Sequence, residues 1–264
     1  MLSYQHGFHA GNLADVQKHA LLAVMIDYLT RKDKPLSYIE THAGRGAYDL
    51  QGSQAQKTGE AAAGILKVSD WFDADHPYSR ARKSVSESHG KSIYPGSPLL
   101  AQALLRDFDN MRLAELHPAE FAHLESALQV SNSYVGLNAQ QKDGFALAQS
   151  ICPPTPRRGL CLIDPPYEIK SDYAMLPDYI AKLHRKWNVG VIALWYPILT
   201  GGAHKPMTRA LLGLNLPDVL HHEVHFPPAR EGHGMIGSGM FIINTPWGLS
   251  DEAARLTQKF AKLT

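Results

Sequence analysis

Apolar positions recur along this chain with two spacings, and each predicts a different element. Leu21, Leu22, Met25, Ile26 and Leu29 return every three or four residues, which places them on one helical face. Asn12 or Gly11 can cap the start of that helix, and Asp15 sits in its first turn, where negative charge is favoured. Short apolar runs over 36–40, 111–115, 133–138, 159–163, 189–195, 221–226 and 239–244 predict strands, the last two paired antiparallel. Helical patterns fall between them, over 99–106, 118–129, 173–187, 205–212 and 251–263. Strands alternating with helices predict an α/β fold, a doubly wound Rossmann-like sheet. From about residue 50 to 91 the alternation lapses into short helical stretches near 61–66 and 71–72, separated by Ser, Asp and His. That stretch reads as a small helical insertion subdomain over 50–91, with 1–49 and 92–264 forming the main domain.

The strand ends carry the chemistry. The run Gly159-Leu160-Cys161-Leu162-Ile163 stops at Asp164-Pro165-Pro166-Tyr167, because proline cannot continue a ladder. The Asp164 carboxylate and the Pro165 carbonyl only accept hydrogen bonds, so together they suit both protons of an exocyclic amine, and Tyr167 can stack on the ring bearing it. A plainer reading makes Asp164 a turn former and Tyr167 a core aromatic. After the strand at 36–40 comes Thr41-His42-Ala43-Gly44-Arg45-Gly46, two glycines that let backbone approach a ligand at a helix entry. Glu115, ending the next strand, is placed to accept two ribose hydroxyls, and Asp143 beside Gly144 could accept from an adenine amino group. Each acid alone reads as an exposed cap; together they describe a nucleotide-cofactor site. Lys18 and His19 follow Asp15 by three and four residues and share its helical face, while Tyr4, His6 and His9 lie upstream in an irregular stretch suited to a flap over a base.

Composition narrows the classes. The formal net charge of +1 leaves any nucleic-acid contact to a local patch, for which Arg80, Arg82, Lys83 and Lys91 are candidates and a solvated surface the alternative. No apolar run approaches the roughly 20 residues of a membrane span, and the first residues lack a signal-peptide pattern, so a cytoplasmic protein without membrane contact is expected. The two cysteines, Cys152 and Cys161, read as reduced structural thiols. Fourteen histidines raise the idea of zinc, but none has His-Glu-x-x-His spacing, and no metal is expected.

Beyond these local readings, the chain resembles the ribosomal RNA large subunit methyltransferase J family over nearly its whole length. The resemblance rests on the opening Tyr-x-His-x-Phe-His-Ala-Gly-Asn with Asp15, Lys18 and His19, and on Thr-His-Ala-Gly, Tyr-Pro-Gly-Ser-Pro, Glu-Leu-His-Pro and Lys-Asp-Gly-Phe. It continues through the Asp-Pro-Pro-Tyr run, Leu-Trp-Tyr-Pro, Ser-Gly-Met and Asn-x-Pro-Trp. It implies a class I methyltransferase fold, a mostly parallel seven-stranded sheet with helices on both faces. It also implies transfer of a methyl group from S-adenosyl-L-methionine to N6 of one adenine in 23S ribosomal RNA, leaving S-adenosyl-L-homocysteine. The residues it implies for the cofactor are His19, His42, Ser97, Glu115, Asp143, Gly144 and Asp164, with Lys18 close by and Gly44 in the first loop. Asp164 would be catalytic, with Pro165 and Tyr167 beside it, and Tyr4 would meet the target adenosine with His6. Thr-His-Ala stands where the wider class carries an aromatic residue before its glycines. No obligate protein partner is evident. A DNA adenine methyltransferase would share the central run but normally carries a larger recognition region than 50–91. A protein glutamine methyltransferase usually has Asn in place of Asp164, and a non-catalytic RNA-binding module would have no use for the full cofactor set.

Overall fold

A computed structural model of the chain describes residues 5–130, 136–168, 171–229, 232 and 234–263. Helix α1 (Leu13–Thr30) begins where the Asn12 side chain accepts the Asp15 amide at 2.9 Å. It leads into β1 (Ser37–Glu40), and the parallel strands β4 (Asn110–Ala114), β5 (Gly136–Gln140), β6 (Gly159–Ile163) and β7 (Val191–Leu199) add on either side. With β8 (Leu220–His225) and β9 (Met235–Ile243) they form one seven-stranded sheet of order β5-β4-β1-β6-β7-β9-β8. Only β9 runs against the rest, antiparallel to both its neighbours.

Both faces of the sheet are covered, which is why its central strands read as unbroken apolar runs. Alternate residues feed two cores. Tyr38, Leu160, Leu162 and Ala193 pack under α1, α5 (Ser97–Leu104), α6 (Pro118–Val130) and α10 (Leu249–Phe260). Ile39, Cys161, Ile163 and Leu194 pack under α7 (Gly144–Ile151), α8 (Ser171–Lys186) and α9 (His204–Gly213). The Leu36-Asn110 and Ser37-Gly159 neighbourhoods are tight enough that a Cβ on Gly159 would collide with the Ser37 carbonyl.

The stretch between Leu50 and Lys91 is more ordered than its composition announces. Strands β2 (Ala47–Asp49) and β3 (Ile93–Pro95) pair antiparallel across its base, and α2 (Ser53–Thr58), α3 (Glu60–Ala63) and the long α4 (Pro77–His89) lie between them. Ile65, Val68, Phe72, Tyr78, Ala81 and Val85 join the same apolar core as α1. Among the described residues no helix is long and apolar enough to cross a membrane.

One buried imidazole ties β8 to α1 and α10. Gln17 donates to His222 Nδ1 at 2.9 Å, and His222 Nε2 lies 3.1 Å from Thr257 Oγ1. Burial lowers this imidazole from 6.5 to about 4, so the folded state takes up a proton later than the unfolded one. Its contribution is complete above pH 6.5 and declines as pH falls toward 4. The unfolding free energy read from urea titrations should therefore drop through that window, by at most about 3 kcal/mol from this group. His222→Gln should flatten the drop, leaving the share of His42 and His19, which burial lowers to about 4 and about 3. An equally steep profile in the variant would exclude His222 as a source.

Candidate active site

The strand order reverses at β1, and there the carboxyl ends of the parallel strands open onto a cavity of about 490 Å³. From the β1, β4 and β5 ends come His42, Gly44, Glu115, Asp143 and Gly144. Asp164 and Pro165 come from the β6 end, Lys18 and His19 from α1, Ser97 from the start of α5, and His6 from a short 3-10 turn. All the described residues that the sequence marked as a site are thus brought to one cavity except Tyr167. Tyr4 lies outside the described residues.

Its centre is a buried charge network. Lys18 Nζ lies 2.6 Å from Asp164 Oδ2 and 3.1 Å from Asp15 Oδ1. Burial opposes the ammonium, but these two carboxylates outweigh it and raise Lys18 above its ordinary value. Asp15 also accepts the Gly11 amide at 2.9 Å and lies 2.9 Å from His6 Nε2. Burial would raise its carboxyl, yet His6 and Lys18 hold it well below the usual carboxylate range. Beneath, Glu40 accepts from Tyr38 at 2.8 Å and from Ser97, and burial pushes it up to about 8 against those two hydroxyls.

The glycine loop turns tightly into the site. Gly44, at φ +62°, donates its amide to Glu115 Oε2 at 2.9 Å, and His117 donates to Oε1 at 2.7 Å. Burial raises Glu115 above the ordinary carboxyl value. Arg45 leaves the cavity, forking onto Glu120 at 2.8 and 2.6 Å. Asp143 caps α7 by accepting the Ala146 amide at 2.7 Å, and Phe145 packs edge-on to His42 at 4.9 Å. A Cβ on Gly144 would run into the backbone carbonyl of Thr41. Gly144→Ala should then push α7 off the β1 end, costing about 1–3 kcal/mol of stability and moving Asp143 away from the cavity. Chemical denaturation checks it, and an unchanged midpoint would mean the gap yields easily.

Tyr167 is half-buried and packs against the second core. It holds φ at +54°, packs its ring 4.6 Å from Tyr173, donates to the Trp195 carbonyl at 2.6 Å, and does not line the cavity. The apolar wall near Asp164 is instead Trp195, Pro197 and Met235, which the sequence did not mark. Strand β7 runs on past Leu194, its last residue paired with β6, so its outer half pairs with β9 alone and tolerates Pro197 at that free edge. Lys18 sits 5.3 Å over the Trp195 ring. Asp15 and Glu40 carried signals, an acid one helical turn before Lys18 and another at a strand end, without showing what they hold. Among the described residues no three His, Cys, Asp or Glu side chains converge as a metal site.

A Rossmann-like sheet with one reversed strand, closing on a cavity at its switch point, has the architecture of a methyltransferase. The model of the family described as "Ribosomal RNA large subunit methyltransferase D, RlmJ" matches residues 33–263, and the chain belongs to that family. Ribosomal RNA large subunit methyltransferase J of Escherichia coli is 40% identical, over 96% of this chain and 90% of the relative. Its namesake in Haemophilus influenzae is 35% identical, over 99% and 94%. A crystal structure of a Legionella pneumophila protein shares the fold with a TM-score of 0.83 at 32% identity, covering 97% of this chain and 94% of that one.

Proposed function

We propose that this protein transfers a methyl group from S-adenosyl-L-methionine to N6 of an adenine in 23S ribosomal RNA, in the cytoplasm, releasing S-adenosyl-L-homocysteine. The observation that carries this reading is a single cavity shared by Asp164 and Pro165 at one end of the site and by the acids Glu115 and Asp143 of the neighbouring strands. The donor fits these residues. Among the described residues His19 Nε2 is a buried nitrogen with no hydrogen-bond partner, Gly44 and Gly144 line the cavity, and two carboxylates stand where a nucleoside presents hydroxyls and an amine. His19, His42, Gly44, Ser97, Glu115, Asp143 and Gly144 would hold it, with Lys18 and Asp164 at the reacting end. When bound, the sulfonium of S-adenosyl-L-methionine supplies an already activated methyl group.

The chain's own residues have the remaining task. An adenine amine is a poor nucleophile because its lone pair is delocalised into the ring. Asp164 and the Pro165 carbonyl, accepting hydrogen bonds from its two N–H groups, favour a pyramidal nitrogen and strengthen their hold as positive charge develops, and the nitrogen sheds one proton once its bond to the methyl carbon has formed and the carbon–sulfur bond has broken. Lys18 occupies Asp164 Oδ2, so the incoming amine displaces it onto Asp15, which already holds it at 3.1 Å. That keeps a cation from the developing charge. Trp195, Pro197 and Met235 offer an apolar wall to an unstacked base, with His6 lining the same cavity and Tyr4 as a further contact to the base. We read 50–91 as the inserted segment and a surface for RNA.

Incubating the protein with methyl-labelled donor and, separately, 23S ribosomal RNA, genomic DNA or protein, followed by nucleoside and amino-acid analysis, tests this. Label in N6-methyladenosine of the RNA is the expected result. Label in DNA alone, in glutamine, or nowhere despite donor binding would each replace the proposal with another function.

A further inference from the structure

We infer that Tyr78 and Tyr94 lock His19 as the tautomer with its proton on Nε2, making that N–H the donor that recognises the carboxylate at the amino-acid end of the methyl donor. The inference rests on the cofactor reading above and deepens it by assigning two positioning residues outside the cavity wall.

The hydrogen bonds form a closed chain. His19 Nδ1 lies 2.8 Å from the Tyr94 hydroxyl, which lies 2.9 Å from the Tyr78 hydroxyl. All three side chains are fully or almost fully buried. Neither tyrosine ionises, since burial pushes Tyr78 and Tyr94 up from their ordinary value of 10. His19 is neutral, burial lowering it to about 3 against the pull of Asp15. A neutral imidazole has one donor and one acceptor nitrogen, so the chain can run in only two directions.

Counting protons selects between them. If Tyr78 donates to Tyr94 and Tyr94 to His19 Nδ1, both hydroxyl protons find acceptors inside the chain, and the imidazole proton stands on Nε2. If His19 Nδ1 donates to Tyr94 and Tyr94 to Tyr78, the Tyr78 proton is left buried, and among the described residues no further acceptor meets it. A buried donor without an acceptor carries its full desolvation penalty, so the first direction prevails. Asp15 Oδ1 reinforces it from 3.8 Å, beyond hydrogen-bond range but near enough to favour a proton on Nε2.

The result is a directed donor. His19 lines the cavity, Nδ1 is engaged by Tyr94, and among the described residues Nε2 has no hydrogen-bond partner. Ser97, whose hydroxyl pairs with Glu40, lines the same cavity. A fixed N–H donor is the complement of a carboxylate, the anionic part of the zwitterionic end of the methyl donor.

Two measurements test this on the full-length protein. Nitrogen-15 spectra of the histidines, with His19 assigned by comparison with His19→Gln, should show Nδ1 unprotonated and Nε2 protonated in the wild type, and loss of that pattern in Tyr94→Phe. A protonated Nδ1 in the wild type overturns the inference. Calorimetry then compares S-adenosylhomocysteine with 5′-methylthioadenosine, which lacks the amino-acid end. Tyr94→Phe should weaken S-adenosylhomocysteine about tenfold and leave methylthioadenosine unchanged, the loss expected of a charge-assisted hydrogen bond. Tyr78→Phe should act in the same sense, less strongly, because Tyr94 keeps its proton. An equal loss for both compounds would reduce Tyr94 to a packing residue and overturn the assignment. Wild-type protein that binds neither compound, yet shows the Nε2–H pattern, would instead refute the cofactor reading.

Discussion

Asp164→Ala is expected to slow methyl transfer by a hundredfold or more, about 3 kcal/mol in the barrier, in a protein that still folds and still binds the methyl donor. The carboxylate is asked to accept an amine proton at the moment the nitrogen becomes positive, so its effect belongs to the transition state and appears in turnover. The fold should tolerate the loss. Asp164 lies at a loop start with a 14% exposed side chain, and Lys18 keeps Asp15 as a partner at 3.1 Å. Asp164→Asn separates charge from shape by keeping one acceptor oxygen without the negative charge, and an intermediate rate is expected. Single-turnover methylation beside calorimetry of the donor decides it. A wild-type rate in folded Asp164→Ala would remove the carboxylate from the chemistry.

Lys18→Met should damage the fold as well as the reaction. The ammonium, 5% exposed, stands between Asp15 and Asp164, whose side chains are 2% and 14% exposed. Removing it leaves two carboxylates around one apolar gap, and breaking a buried pair in this way typically costs about 3–5 kcal/mol. The deficit should shrink as pH is lowered, because carboxylates stripped of their cation take up protons more readily. Lys18→Met with Asp15→Asn should recover part of the stability and none of the turnover. Urea midpoints at pH 7 and pH 5 test both statements. A pH-independent deficit would mean the loss is one of packing alone.

The elements that sequence made legible are those with strong periodicity or hard boundaries. Strand β6 was bounded by a glycine and a double proline, and α1 by Asn12 and a wide apolar stripe; both lie where expected. Helix α4 was missed because it shows a single narrow row, Tyr78, Ala81 and Val85, on an otherwise polar surface, while its start depends on His76 capping the Tyr78 amide. The strand Ile93–Pro95 goes unmarked in the sequence because it is short and ends at a proline, which a two-stranded ribbon tolerates. In the site, residues fixed to strand ends could be placed from sequence, since topology carries every such end to one edge. Tyr167 could not, because its direction depends on a positive φ that no spacing reveals. Nor could Trp195 and Met235, which meet the cavity only because β7 outruns β6.

Segment 50–91 looks removable on paper, entering and leaving through the paired strands β2 and β3, yet the apolar side chains it sends inward belong to the floor on which α1 rests. Modularity therefore fails in one direction. A linker could join Asp49 to Ile93 geometrically, but the shortened chain would expose the flank of α1 to water, and with it the helix that carries Asp15, Lys18 and His19. A change to this segment's outward face leaves that floor intact, whereas its inward face has to be kept, because Tyr78 is both part of the floor and a neighbour of the residues around His19.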